Sequence, residues 1–314
     1  MEPTQLQGEV VVTWPAFDID DPLSGRLLTA AGLTVRLEPK LGPRTPSELR
    51  EILGDAVGVI ASTDPFDKSV FESSPHLRVI ARTGVGVDSI DVPAASAAGV
   101  VITTTPGANE ETVADHTLAL MLSLVRRIGE HDQSVRERRW DRAGALTPGD
   151  MVGATVGLVG SGVIGRAVIR RVRAFGSRVL VCDPALTTPD AGTELFALDD
   201  LLASSDVISI HVPLLDGTRG LIGARELALM KPTAVLVNAS RGHIVDENAL
   251  VDALQRGEIA AAALDVFAEE PPFGSTLLDL PNVVLTPHVG GLSARSIAEM
   301  TRRATASVLE VLGQ

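Results

Sequence analysis

Three stretches of this sequence set a reactive side chain just after an apolar run. They are "LVNASRGHIVDE" with Arg241, "AALDVFAEEPP" with Asp265 and Glu270, and "VVLTPHVGG" with His288. Taken singly, each has an ordinary reading as a surface ion pair, an exposed loop acid or a satisfied core histidine. Together they supply what reduction of a carbonyl requires. A guanidinium grips a 2-keto acid through its carboxylate and keto oxygen in a planar fork that lysine does not reproduce. An imidazole gives the oxygen its proton and removes it in the reverse direction. A carboxylate beside the imidazole fixes its tautomer and stabilises the imidazolium. No metal site is expected.

Such a reaction also needs a hydride donor, and "GLVGSGVIG" points to one. Gly160, Gly162 and Gly165 follow the apolar run "TVGLV" and open the helical segment "RAVIRRVRAFG", with Val168, Ile169, Val172 and Phe175 as its expected buried stripe. A GxGxxG alone is weak evidence, but here it stands between strand and helix. The next strand, "RVLVCD", ends at Asp183, about 20 residues beyond the second glycine, where a carboxylate binds the adenosine ribose hydroxyls. An acid there repels a 2'-phosphate, so NAD is expected rather than NADP. The glycines admit the pyrophosphate, and the helix N-terminus offers it amides and partial positive charge.

The elements that must position these groups alternate through the whole chain. Strand candidates in the first third are "EVVVTWP", "LTVRLEP", "AVGVIAS", "LRVIART" and "VVITTTP". Six more follow in "ATVGLVG", "SRVLVCD", "DVISIHVP", "TAVLVNAS", "IAAAALDVF" and "NVVLTPH", separated by turns or helical stretches such as "ENALVDALQRG". One long helix is expected to begin after "PGAN", with Asn109 capping it and Glu110 and Glu111 at its positive end, and to run to about residue 128. The pattern predicts two Rossmann-like, doubly wound parallel α/β domains with a cleft between them. Residues 1–104 with a returning segment 291–314 are expected to form one domain, and residues 105–290 the nucleotide-binding one.

Composition narrows the function classes. The chain has 314 residues and a net charge of -13, which opposes binding to nucleic acid. Its single cysteine, Cys182, cannot form an internal disulfide. The start "MEPTQLQGEV" lacks the pattern of a signal peptide, and no apolar run approaches the ~18 residues of a membrane span. A soluble cytoplasmic protein with a small-molecule substrate is the expectation.

The motifs "RTGVGVDSID", "TPGANEETVADHT", "GLVGSGVIG", "SDVISIHVPL", "MKPTAVLVNASRGHIVDENAL", "AALDVFAEEPP" and "NVVLTPHVGG" resemble those of the D-isomer-specific 2-hydroxyacid dehydrogenases, nearest the phosphoglycerate dehydrogenase branch. The resemblance covers about residues 55 to 295. It implies interconversion of a small 2-keto acid and its D-2-hydroxy acid by hydride transfer, with Arg241, Glu270 and His288 catalytic. It also implies that Val163 and Ile164 face the pyrophosphate, that Asp183 meets the ribose, and that Val212, Pro213 and Thr218 line the adenine side. Ala239, Asp265 and Gly290 would surround the nicotinamide. The backbone of Val85 and Gly86 would grip the substrate carboxylate, with Arg82 beside them. A flavodoxin-like first lobe completed by the C-terminal helix, and a homodimer formed through the nucleotide domain, are further implications. In that dimer the segment "VRERRWDR", with Trp140 as its anchor and Arg139 or Arg142 near the substrate, would reach toward the neighbouring subunit.

Two departures bear on the substrate. Longer members carry a regulatory domain after the catalytic core, whereas this sequence ends at Gln314, so effector control by such a domain is not expected. Phosphoglycerate enzymes carry an arginine after the third strand, where "IASTDPFD" has Ala61. A phosphate- or phosphonate-tailed 2-keto acid is the first expectation, with Arg82 as its cation. A glyoxylate or hydroxypyruvate type of reductase is the alternative. An NADH-sensing corepressor-like binding protein is the competing reading from another class, and turnover separates it from an enzyme.

Overall fold

The computed structural model describes residues 5–314 apart from positions 41, 43, 141, 143, 145 and 146. The chain divides into two compact units, Met1–Asn109 with Leu292–Gln314, and Glu110–Gly291. Each is built on its own parallel sheet.

In the first unit the strands are β1 (Glu9–Val12), β2 (Thr34–Leu37), β3 (Gly58–Ala61), β4 (Val79–Arg82) and β5 (Val101–Thr103), in the order β2-β1-β3-β4-β5. That is the flavodoxin-like order. Every residue of β3 and β4 is buried, as expected of parallel strands covered on both faces. One face packs Leu49, Leu53, Val70 and Phe71. The other is covered by the helix Ala294–Leu312, whose Met300, Ala304, Val308 and Leu312 meet Val10, Val12, Ile60 and Val79. The Trp14 indole N–H donates to Thr301 Oγ1 at 3.1 Å, so the returning helix is held by apolar contact and a buried hydrogen bond.

The second unit has seven parallel strands: β6 (Thr155–Val159), β7 (Arg178–Cys182), β8 (Glu194–Leu195), β9 (Val207–Ile210), β10 (Val235–Asn238), β11 (Ala261–Leu264) and β12 (Val283–Leu285). Their order is β12-β11-β10-β9-β6-β7-β8. The sequence reverses direction at β6, and at the carboxyl edge beside such a reversal doubly wound sheets bind ligands. The glycine turn, Asp183, Arg241, Asp265 and His288 all follow the carboxyl ends of strands in this one sheet.

Several local expectations need correction. The two-residue edge strand β8 lacks the β-branched run that marks the others. The long helix spans Glu110–Val125 and ends where Arg127 takes a left-handed conformation (φ 51°), after which a second helix runs Ile128–Arg136. Asn109 does not cap it through its carbonyl, since that buried oxygen accepts no hydrogen bond among the described residues. In the helix Val163–Ala174, Val168, Ile169 and Val172 are buried as expected. Phe175 is 39% exposed, because it is the cap residue where the chain leaves the helix at Gly176.

Among the described residues no helix is long and apolar enough to cross a membrane.

Candidate active site and nucleotide cradle

The three glycines after β6 are required for three different reasons. Gly160 has φ +96°, and a Cβ there would lie 2.6 Å from the His211 carbonyl oxygen. Gly165 would place a Cβ 2.5 Å from the Gly160 carbonyl oxygen, so it lets helix and strand pack closely. A Cβ on Gly162 would meet nothing within 4 Å. That open side is where a ligand's backbone approach is needed.

Gly162 is also the N-cap of Val163–Ala174 and supplies no side-chain cap, so the first-turn amides keep their capacity for an anion. Ser161 Oγ, beside them, is buried without a partner among the described residues. Val163 is 68% exposed at the mouth of this turn, and Ile164 is half-buried. Asp183 braces the turn: its Oδ2 accepts the Ser161 amide at 2.8 Å and its Oδ1 the Ala185 amide at 2.9 Å. Each oxygen retains a lone pair for a sugar hydroxyl. The residues present therefore fit a dinucleotide.

After β9, Val212 is half-buried against the core and Pro213 is exposed. The Thr218 hydroxyl closes the turn that follows, accepting the Leu215 amide at 2.8 Å and donating to the Pro213 carbonyl at 2.6 Å. His211 lies under the glycine turn with Nε2 2.9 Å from Ser209 Oγ. Burial pushes its imidazole down to about 4, so it is neutral at physiological pH and serves packing.

The expected contact between His288 and Glu270 is formed. His288 Nδ1 lies 2.8 Å from Glu270 Oε2, and the side chains are 34% and 36% exposed. The carboxylate can only accept here, so Nδ1 carries the proton and Nε2 is left outside this hydrogen bond. Glu270 Oε1 accepts the Phe267 amide at 3.2 Å, which turns the carboxylate toward the histidine. His288 has φ 55°, an uncommon conformation outside glycine, and its amide donates to the Asp265 carbonyl at 2.8 Å.

Arg241 leaves β10 through a loop braced by Asn238. The Asn238 side chain donates to the Arg241 carbonyl at 2.9 Å and accepts from the Ser240 amide and hydroxyl. Arg241 Nη1 reaches the Ser240 carbonyl at 2.7 Å, and Ala239 is half-buried beside it. Gly242 presses this loop onto the one that carries Glu270: a Cβ there would fall 1.9 Å from the Phe267 carbonyl carbon. The arginine and carboxylate loops are thus fixed to each other through backbone contact.

Asp265 is 1% exposed and its carboxylate points into the protein. Oδ1 accepts from Thr286 Oγ1 at 2.6 Å and the Val289 amide at 2.9 Å, and Oδ2 accepts the Gly290 amide at 2.7 Å. Burial alone would raise its pKa, but the hydrogen bonds from His116, Thr286 and the two amides prevail and hold it below the ordinary carboxylate range. Gly290 has no room for a side chain, since a Cβ would lie 2.7 Å from Asp265 Oδ2. Sequence reasoning missed His116 and Thr286. His116 sits within a regular helix whose apolar pattern gives no sign that one position meets the end of a strand.

In the first unit, Arg82 ends β4 and is 7% exposed, with Nη1 donating to the Thr83 carbonyl at 2.6 Å. It is a buried residue folded onto its own loop rather than a cation open to solvent. Val85 is 43% exposed and Gly86 half-buried in the loop that follows.

Comparison with known proteins bears on the family. Residues 118–290 match the model of the D-isomer specific 2-hydroxyacid dehydrogenase NAD binding domain, which gives NAD as the cofactor. The chain is 41% identical over 299 residues to a D-3-phosphoglycerate dehydrogenase of Mycobacterium bovis, covering 94% of this chain and 56% of that protein. This chain thus spans little more than half the length of the phosphoglycerate dehydrogenase it matches. It is 45% identical over 245 residues to a glyoxylate reductase of Korarchaeum cryptofilum, covering 76% of this chain and 74% of the relative. The TT0316 protein of Thermus thermophilus superposes with a TM-score of 0.87 at 38% identity, covering 97% of this chain and 96% of that one. The glycine cradle, the Glu270–His288 pair and these similarities together place the chain in the D-isomer-specific 2-hydroxyacid dehydrogenase family.

Proposed function

We propose that the protein interconverts a small 2-keto acid and its D-2-hydroxy acid with NAD as the redox partner. The observation that carries this is the Glu270–His288 hydrogen bond of 2.8 Å, which leaves Nε2 as the working nitrogen at the sheet edge that also bears the glycine turn. Arg241 holds the substrate through its carboxylate and keto oxygen. His288 Nε2 donates its proton to that oxygen, and Glu270 keeps the ring oriented and compensates the imidazolium before transfer. Bound NADH supplies the hydride for the carbonyl carbon. In the oxidative direction His288 takes the hydroxyl proton. The backbone of Val85 and Gly86 adds a grip on the carboxylate.

The cofactor contacts follow the same reading. Gly160, Gly162, Val163, Ile164 and Gly165 receive the pyrophosphate, and Asp183 the ribose. Val212, Pro213 and Thr218 line the adenine side, while Ala239, Asp265 and Gly290 surround the nicotinamide. The Asp265 carboxylate is engaged by its own loop, so its part there is to shape the wall.

The substrate's tail has two readings. Relatives named for phosphoglycerate support a phosphate- or phosphonate-bearing acid. Ala61, standing where phosphoglycerate enzymes carry a cation, supports the second, a short acid such as glyoxylate or hydroxypyruvate, because a buried dianion without partners costs several kcal/mol. Comparing kcat/KM for phosphorylated and unphosphorylated hydroxypyruvate decides between them. Better use of the phosphorylated acid establishes the first reading, and better use of the other acid the second.

A homodimer formed through the second unit belongs to the same reading. Ile128, Val135, Trp140 and Val152 are large apolar residues more than half exposed on this unit, at 54%, 56%, 77% and 76%. Arg139 and Arg142 flank Trp140, and Asp141 of that segment lies outside the described residues. Sedimentation at micromolar concentration is expected to give a dimer that Val135→Asp disrupts. A monomeric wild-type protein contradicts the assembly. The lone Cys182 suits the reducing cytoplasm, where this reading places the protein.

A further inference from the structure

Beside the Glu270–His288 pair the second unit holds another histidine–carboxylate pair, to which the proposed reaction gives no proton-transfer step. His116, on the helix Glu110–Val125, brings Nε2 to 3.1 Å from Thr286 Oγ1 and 3.4 Å from Asp265 Oδ1. The Thr286 hydroxyl has one proton and gives it to Asp265 Oδ1 at 2.6 Å, so it can only accept from His116. Nε2 of His116 therefore carries a proton and points at a carboxylate that is 1% exposed.

The geometry points to His116 as a positioning residue for His288, acting through Thr286 and Asp265. The connection is continuous. His116 fixes Thr286, two residues before His288, and supports the Asp265 carboxylate. That carboxylate accepts the amides of Val289 and Gly290, the two residues after His288. The Asp265 carbonyl accepts the amide of His288 itself. The loop is pinned on both sides of a residue held at φ 55°, a conformation that persists only where surrounding contacts over-determine it. The His116 ring also packs on Gly290, where its Cδ2 would lie 3.3 Å from an added Cβ. If His116 cannot donate, Thr286 loses a partner and Asp265 keeps a buried charge with one donor fewer. The loop then gains freedom at the one residue whose direction matters for proton transfer.

The inference rests on His288 as the proton donor, so its test includes a measurement independent of turnover. His116→Leu removes the donor while keeping bulk, His116→Gln keeps an N–H donor near the Nε2 position, and Thr286→Val breaks the relay at its next member. In histidine-labelled protein without substrate, the His288 Nδ1–H resonance is expected to be sharp in the wild type and in His116→Gln. It should be broadened by exchange in His116→Leu and Thr286→Val. With NADH and a 2-keto acid, the Leu and Val variants should lose about tenfold or more in kcat, since small misplacement of a catalytic group is costly. Their dissociation constants for NADH should stay within about twofold, and the Gln variant should recover most of the rate. A wild-type resonance and rate in His116→Leu overturn the inference. So do equal losses in Leu and Gln variants accompanied by lowered melting temperatures, which mark a packing role. If the wild-type protein turns over no 2-keto acid, the proposed reaction fails, and the resonance alone decides whether His116 positions His288.

Discussion

Replacing His288 with alanine is expected to lower kcat by about 10²–10⁴, the usual contribution of a positioned general acid, while NADH binds nearly as it does to the wild type. The expectation comes from the hydrogen bond between Nδ1 and Glu270, which commits one ring nitrogen to orientation and leaves the other for chemistry. Alanine removes the proton donor but keeps the backbone bond from residue 288 to the Asp265 carbonyl, so the loop retains its main anchor. Glu270→Gln should lower kcat by less, because an amide still bonds to the ring but no longer compensates its charge. Rates are to be measured at saturating NADH and keto acid, with NADH affinity followed by fluorescence. Turnover of His288→Ala within a few-fold of wild type contradicts the assignment.

The second large effect concerns cofactor choice. Wild-type kcat/KM with NADH should exceed that with NADPH by about 10²–10³, since setting like charges against each other costs several kcal/mol. Asp183 is placed to produce this: it follows β7 directly and lies at the glycine turn, with both oxygens already oriented by the amides of Ser161 and Ala185. Asp183→Ala removes the hydroxyl acceptor and the repulsion together, so use of NADH should fall, use of NADPH should rise, and the ratio should approach one. Because Asp183 also braces the turn, the loss with NADH should exceed that of one sugar hydrogen bond. Equal or better use of NADPH by the wild type contradicts this account of Asp183.

Much of this architecture could be read from residue types alone, and the exceptions have local causes. Strands such as "VISI" and "VLVN" are apolar throughout because parallel strands are covered on both faces, which makes them legible. The glycine turn was legible because its glycines have separate steric duties, now visible at Gly160 and Gly165. Arg241, Glu270 and His288 stood out because polar residues immediately after apolar strands fall on the ligand-binding edge. The two-residue strand β8 is too short to carry a pattern. The helix break at Arg127 depends on one residue adopting φ 51°, which neither glycine nor proline announces. His116 was hidden for another reason: its role comes from contact with Asp265 and Thr286, more than a hundred residues further along the chain.

The central claim is that this cradle and this acid-base pair perform chemistry, and the most direct measurement is the disappearance of NADH absorbance on mixing the purified protein with a panel of 2-keto acids. The panel should include glyoxylate, hydroxypyruvate and 3-phosphohydroxypyruvate, with chiral analysis of products that have a stereocentre. The account predicts catalytic turnover with at least one of them, a D-configured 2-hydroxy acid wherever configuration can be read, and abolition of most of the rate by His288→Ala. Tight NADH binding with no turnover across the panel, the behaviour of a nucleotide sensor, or an L-configured product would contradict it.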